Sequence, residues 1–220
     1  MLNNFLSKYS FNFLSNIDID IHEKGLNIYF EKYNTNKNYI FFDIGANAGS
    51  FINALQKYNK KFTLYSFEPH PYIYEYLINT YKQDNIIHNK MCVSDKDQSC
   101  RIYIPEFSVG LSSMINRQIF SKLKNQQILE IQTQCIKLDT YCTDNNISHI
   151  DYIKIDVEGV EYMVLTGAMN LLRNNKISAL QVEVGIEESG YTEKDILNTM
   201  YKYGYVSQKI SPSDYLFYLS

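Results

Sequence analysis

The segment Asp43-Ile44-Gly45-Ala46-Asn47-Ala48-Gly49 sits between a run of β-forming residues and a helical pattern. Gly45 permits a tight turn and, having no Cβ, lets a ligand approach the backbone closely. Gly49 opens the next helix, whose first amides and dipole favour a carboxylate. Asp43, at the strand's C-terminal edge, can accept hydrogen bonds from an ammonium group. A ligand bearing both charges on one carbon suits this arrangement, and the methionine end of S-adenosylmethionine is such a ligand. Glu68 follows 23 positions after Gly45, at the end of the next strand-like run. An acidic residue at about that distance hydrogen-bonds the ribose of an adenosine cofactor in Rossmann-type sheets. The loop is not GxGxxG, so the glycine that admits a pyrophosphate is missing, and a nicotinamide cofactor is the lesser alternative.

A second group of acids is Lys154-Ile155-Asp156-Val157-Glu158-Gly159-Val160-Glu161, again closing a strand. Three carboxylates within six positions are costly unless solvated, paired or bound to a cation. Asp156, Glu158 and Glu161 are therefore candidates for base catalysis on an acceptor, and a divalent metal such as Mg²⁺ is compatible with them. A favourable helix N-terminus is the plainer explanation, since acids belong there. Glu183, ending the next strand, points toward the same crevice only weakly when taken alone. His70 and His149 read as surface or hydrogen-bonded histidines rather than bases.

Elements that position these residues alternate from about residue 39. Strand-like runs occur at 39–44, 62–67, 86–93, 150–155 and 177–184, with further extended pieces at 101–104 and 131–138. Helical periodicity marks 50–58, a segment from Pro71 to Tyr81, one from Val160 to Leu172, and Glu193 to Tyr203. Such alternation predicts a doubly wound α/β fold with a mostly parallel sheet. Runs at 205–210 and 215–219 lie too close for a helical crossover and predict an antiparallel hairpin. Residues 105–128 are the least legible, with a loop at Gly110-Leu111-Ser112-Ser113 and a short helix near Ile119 to Leu123. Residues 1–36 are expected to form a helical extension packed on the sheet, and 37–220 the main domain.

The 220 residues suit one domain, and 45% hydrophobic with 20% charged residues is an ordinary globular balance. No apolar stretch reaches the roughly 20 residues of a membrane span, and the first 16 residues lack the pattern of a signal peptide. The chain reads as soluble and cytoplasmic, and a homo-oligomer is compatible with it. With a net charge of −3 and scattered basic residues, a nucleic-acid substrate is disfavoured. Cys92, Cys100, Cys135 and Cys142 form no CxxC pair, and reduced, structural thiols are expected.

The segments Phe42–Gly49, Phe67-Glu68-Pro69-His70-Pro71 and Ile150–Glu161 resemble the FkbM-type methyltransferases. So do Gly110-Leu111-Ser112-Ser113, Lys137-Leu138-Asp139, Leu165-Thr166-Gly167-Ala168 and Val182-Glu183-Val184. The resemblance spans roughly residues 38–185. It implies the class I methyltransferase fold, a Rossmann-like seven-stranded sheet whose last strand is antiparallel. It also implies S-adenosylmethionine as donor and a hydroxyl acceptor, often on a sugar or polyketide. Carried over by position, Asp43, Gly45, Asn47 and Gly49 would hold the methionine end and Glu68 the ribose. Val93, Ser94 and Asp95 would border the adenine, and Asp156, Glu158 and Glu161 the acceptor. A sugar, glycan or other hydroxylated small molecule is the expected partner. The Asp/Asn-Pro-Pro-Tyr/Phe pattern of amino-group methylation is absent where Asp156-Val157-Glu158-Gly159 stands, and no Pro-Cys nucleophile exists. A non-catalytic nucleotide-binding module is the alternative of a different class.

Overall fold

Residues 16–105, 111–117, 127–184 and 190–219 are described in a computed structural model. In chain order the first elements are α1 (Asn16–Tyr33), β1 (Tyr39–Ile44), α2 (Ser50–Gln56), β2 (Phe62–Phe67), α3 (Pro71–Thr80) and β3 (Ile86–Asn89). Next come β4 (Cys92–Val93), β5 (Gln98–Pro105), β6 (Ile128–Ile136), α4 (Leu138–Asp144) and β7 (Ile150–Ile155). The chain continues through α5 (Glu161–Gly167), α6 (Met169–Arg173), β8 (Ile177–Glu183), α7 (Glu193–Lys202), β9 (Tyr205–Lys209) and β10 (Asp214–Leu219).

The main sheet has seven strands in the order β3-β2-β1-β7-β8-β10-β9. Strands β3, β2, β1, β7 and β8 are parallel, while β10 runs antiparallel to both neighbours. This is the class I methyltransferase fold that the sequence resemblance implies, with the predicted closing hairpin. From β1 the chain winds outward through β2 and β3, then returns to β7 on the other side. The order therefore reverses between β1 and β7, where a doubly wound sheet opens a crevice at its carboxyl edge.

Strand side chains alternate between two cores. Phe42 and Ile153 join the cluster under α4 to α7, whereas Phe41 and Tyr152 join the one beneath α1, α2 and α3. Helix α1 delivers Leu26, Tyr29 and Phe30, all buried, to that second cluster. Its Gly25 allows the close approach: a Cβ there would lie 2.4 Å from the Tyr152 hydroxyl.

Several expectations need correction. The strand expected over 86–93 divides into β3, in the main sheet, and β4, in a second sheet of order β4-β6-β5. The two extended pieces at 101–104 and 131–138 belong to that second sheet, paired antiparallel from Gln98–Cys135 to Pro105–Ile128. This topology brings Cys100 beside Cys135, with Cα atoms 6.2 Å apart, and the two form a disulfide. The expected four reduced thiols thus become two, Cys92 and Cys142. The helix expected from Val160 to Leu172 breaks at Ala168. There Asp139 accepts from the amides of Asn170 (2.9 Å) and Leu171 (3.0 Å), starting α6 anew. The short helix expected near Ile119 to Leu123 falls outside the described residues.

Candidate active site

The loop after β1 is shaped by backbone hydrogen bonds. The amides of Gly45 and Ala46 both donate to Phe67 O, at 3.1 and 3.0 Å. Gly45 has φ 79°, and a Cβ on it would stand 1.8 Å from the carbonyl oxygen of Asp156. Its bareness lets β1 close against β7, a requirement that precedes any contact with a ligand. Gly49 caps α2 with φ 87°, and its added Cβ would meet the Tyr81 ring at 2.5 Å. Asn47 also takes a positive φ, 45°.

Glu68 locks this loop in place. Its Oε2 accepts from the Asn47 amide at 2.9 Å and its Oε1 from the His70 amide at 2.8 Å. Burial pushes its carboxyl up to about 7, against the pull of those two amides and of Lys154. His70 in turn caps α3, its Nδ1 accepting from the amides of Tyr72 and Ile73.

Above the loop opens a cleft with about 660 Å³ of free space, counting its open mouth. Gly45, Asn47, Glu68, Val93, Asp156 and Glu158 all line it. Ile73, Met91, Ile102 and Met114 give it an apolar wall. Ser94 and Asp95 stand just outside the wall. The Ser94 amide donates to Ile136 O at 2.9 Å, and its carbonyl packs where a Cβ on Gly167 would sit, 2.0 Å away. Asp43, Gly49 and Glu161 are likewise absent from the lining.

Asp43 lies beneath the loop, fully buried. Lys154, also buried, is 3.4 Å from Asp43 Oδ1 and 3.4 Å from Asp156 Oδ2, and its Nζ donates to Gly45 O at 2.5 Å. Burial would depress the lysine, but the two aspartates win and raise its pKa. For Asp43 burial wins, holding its carboxyl above the usual value despite Lys154. Neither Asp43 oxygen receives a hydrogen bond among the described residues. Asp43 lies outside the cleft lining with its charge facing the Lys154 ammonium, so it supports the loop from below rather than forming a wall of the cleft.

The segment after β7 carries the other acids, which are set quite differently. Asp156 is pushed up by burial, yet Lys154 and a hydrogen bond from Glu183 outweigh this and hold it low. Glu158 takes a left-handed φ of 58°. Its carbonyl accepts from Ser113 Oγ at 2.8 Å and its carboxylate pairs with Arg117. Burial, with Asp156 nearby, still lifts Glu158 to about 7. Glu161 turns inward, accepting from the amides of Val157 (3.1 Å) and Gly159 (3.0 Å), and so shapes the turn. Arg117, buried in the stretch least legible from sequence, had no local pattern to mark it.

Oxygens of Asp156, Glu158 and Glu183 lie within 4.8 Å of one another. A divalent metal nonetheless does not fit this donor set. Lys154 and Arg117 already neutralise two of the acids, which leaves little net charge to hold a dication.

A family model described as the methyltransferase FkbM domain matches residues 43–207. The chain belongs to the FkbM methyltransferase family. Its activity is S-adenosylmethionine-dependent methyl transfer, the class of that family. No curated protein matches the sequence at a significant level. Among solved structures, a precorrin-6y C5,15-methyltransferase from Geobacter metallireducens is 9% identical, with 88% of this chain and 87% of that one covered and a TM-score of 0.46. Fibrillarin from Aeropyrum pernix, with natively bound S-adenosyl-L-methionine, is 11% identical over 83% and 66% of the chains, at a TM-score of 0.47. A SAM-dependent methyltransferase from Aquifex aeolicus is 14% identical over 90% and 87%, at 0.45. Likenesses this distant bear on neither substrate nor mechanism. No helix among the described residues of this FkbM methyltransferase is long and apolar enough to cross a membrane.

Proposed function

We propose that the protein is an O-methyltransferase acting on a hydroxyl group of a sugar or glycan. One observation carries the reading: Asp156, an acid held ionised by Lys154, lines the same cleft as the donor loop. Gly45, Asn47 and Glu68 would hold the donor, with Val93 beside the adenine. S-adenosylmethionine supplies an electrophilic methyl group on a sulfonium. The chain's own work is then to align an acceptor with that carbon in a cleft that excludes bulk water. A neutral alcohol is a poor nucleophile, and Asp156 would take its proton. Glu158, which lines the cleft with Asp156 and is held by Arg117, would border the acceptor.

The test is mass spectrometry of glycans from the source with and without this gene, together with incubation of the purified protein, labelled donor and a panel of hydroxylated acceptors. A methyl mass on a sugar oxygen supports the reading. Methylation confined to nitrogen or carbon, or donor binding with no transfer to any glycan or other hydroxylated compound, overturns it.

A further inference from the structure

Asp156 and Glu183 leave neighbouring parallel strands at the same level, since Ile155 pairs with Val182 in the β7–β8 register. Their carboxylate oxygens stand within 4.8 Å of each other. Two ionised carboxylates so close in a half-buried crevice repel strongly, and one of them retains a proton. Asp156 has the Lys154 ammonium at 3.4 Å. Glu183 makes no ion pair with a lysine or arginine among the described residues, so the proton belongs on its side of the pair. A protonated Glu183 is then a hydrogen-bond donor directed at Asp156.

We infer that Glu183 is a positioning residue for methyl transfer, donating a hydrogen bond that fixes the Asp156 carboxylate in place to receive the acceptor's hydroxyl proton. This rests on the O-methyltransferase reading above. In the step itself, the acceptor O–H bond breaks and its proton passes to Asp156. The acceptor oxygen forms the new O–CH3 bond while the methyl–sulfur bond breaks and its electron pair stays on sulfur. The sulfonium's positive charge and the Asp156 negative charge are both discharged, so atoms and charge balance with no further reactant.

The electrostatics agree. Burial first, then the Asp156 charge and hydrogen bond, push Glu183 up to about 10, while Asp156 is held low. Glu158 and Glu161 add negative charge from the loop and start of α5, and both favour a protonated Glu183. Lys154 on β7 and His22 on α1 favour the charged form of Asp156. Asp43 on β1 shares Lys154 with it, and Arg117 is occupied by Glu158. Asp214, beside Glu183 on β10, accepts from Ser211 and Ser213.

Two substitutions separate positioning from bulk. Glu183→Gln keeps a donor toward Asp156 through its amide, whereas Glu183→Ala removes it. On an identified acceptor, Glu183→Ala is expected to lower kcat about tenfold or more, a modest part of a general base's contribution. Glu183→Gln should recover most of that loss. The wild type should also lose rate as pH rises toward 10, when Glu183 ionises, and Glu183→Gln should not. An Ala variant within twofold of wild type, or a Gln variant as poor as Ala, overturns the inference. A second readout needs no acceptor: carbon NMR of carboxyl-labelled protein should show Glu183 titrating near 10, and much lower in Asp156→Asn. Titration of Glu183 near 4.5 refutes the shared proton. Failure to methylate any hydroxyl, with the NMR result intact, would instead remove the O-methyltransferase reading.

Discussion

Replacing Gly45 by alanine puts the central geometry under its sharpest strain. A Cβ would sit 1.8 Å from Asp156 O, and ordinary contact begins near 3.4 Å, so β1 and β7 must part by roughly 1.6 Å (3.4 − 1.8) at this point. That displacement breaks the 3.1 Å bond from the Asp156 amide to Ile44 O, a loss of about 1 kcal/mol. The left-handed φ of 79° costs a further 1–2 kcal/mol, roughly, for any residue with a Cβ. Weakening of the Lys154 bond to Gly45 O adds about 1.5 kcal/mol or more for a charged donor. The sum is about 4 kcal/mol. Gly204 gives the control, for it has φ 83° but nothing within 4 Å of an added Cβ. Gly204→Ala should therefore cost only the backbone part, roughly 1–2 kcal/mol. Urea unfolding of both variants should separate their midpoints by about 1 M for a typical slope near 2 kcal/mol/M. Calorimetry should show S-adenosylhomocysteine binding lost in Gly45→Ala alone. Equal midpoints with unchanged affinity would mean that the close approach of β1 to β7 is not as described.

Glu68 is raised to about 7 from its ordinary 4.5, so its protonated form is favoured on folding. Its contribution to stability is complete below pH 4.5 and lost as pH rises through 7. The proposed role of Glu68 in holding the donor's ribose calls for the ionised form, so donor affinity should climb about tenfold from pH 6 to 8, with a flatter profile in Glu68→Gln. A flat calorimetric profile in the wild type would count against that role. Asp156→Asn should reduce methyl transfer about 10²-fold or more while donor affinity stays within several-fold. Activity in excess chelator should equal the untreated rate, and loss restored by Mg²⁺ would reinstate a metal. Reducing the Cys100–Cys135 disulfide, which spans 35 residues, should destabilise the protein by up to about 4 kcal/mol. An identical thermal midpoint with and without reductant would show that the bond does not form in solution.

What was legible in the sequence followed local pattern. Phe42–Gly49 and Ile150–Ile155 announce buried strands ending in a turn, because β-formers dominate each run up to a glycine or an acid. The hairpin at 205–219 was readable from its short connection. The small second sheet was not, since β5 and β6 are separated by 22 intervening residues with no strand pattern of their own. For the same reason the Cys100–Cys135 pairing left no mark in spacing. Motif residues also divided in ways that spacing cannot reveal. Asp156 lines the cleft, whereas Glu161, five positions later, is spent on the amides of Val157 and Gly159. Asp43 read as a partner for a ligand's ammonium, and an ammonium does stand near it, that of Lys154. Lys154 belonged to the motif yet had no role assigned, because only the β1–β7 register places it opposite Asp43.

Helix α1 also sets the limits of exchange between related enzymes. It precedes the stretch matched by the family model, and β10 follows it, yet the two are joined directly. Lys24 donates to Ile210 O at 2.6 Å beside the hairpin, and Tyr33 donates to Leu219 O at 2.7 Å. Leu26, Tyr29 and Phe30 add roughly 1.5–3 kcal/mol apiece by burial. A chimera cut at the edges of the matched stretch would graft one parent's helix onto another parent's last strand and break these contacts. Chimeras that keep α1 and β10 from one parent and swap only residues 105–128 should give the higher soluble yield. Recombination between related enzymes is therefore best confined to the middle of the chain, with both ends inherited together.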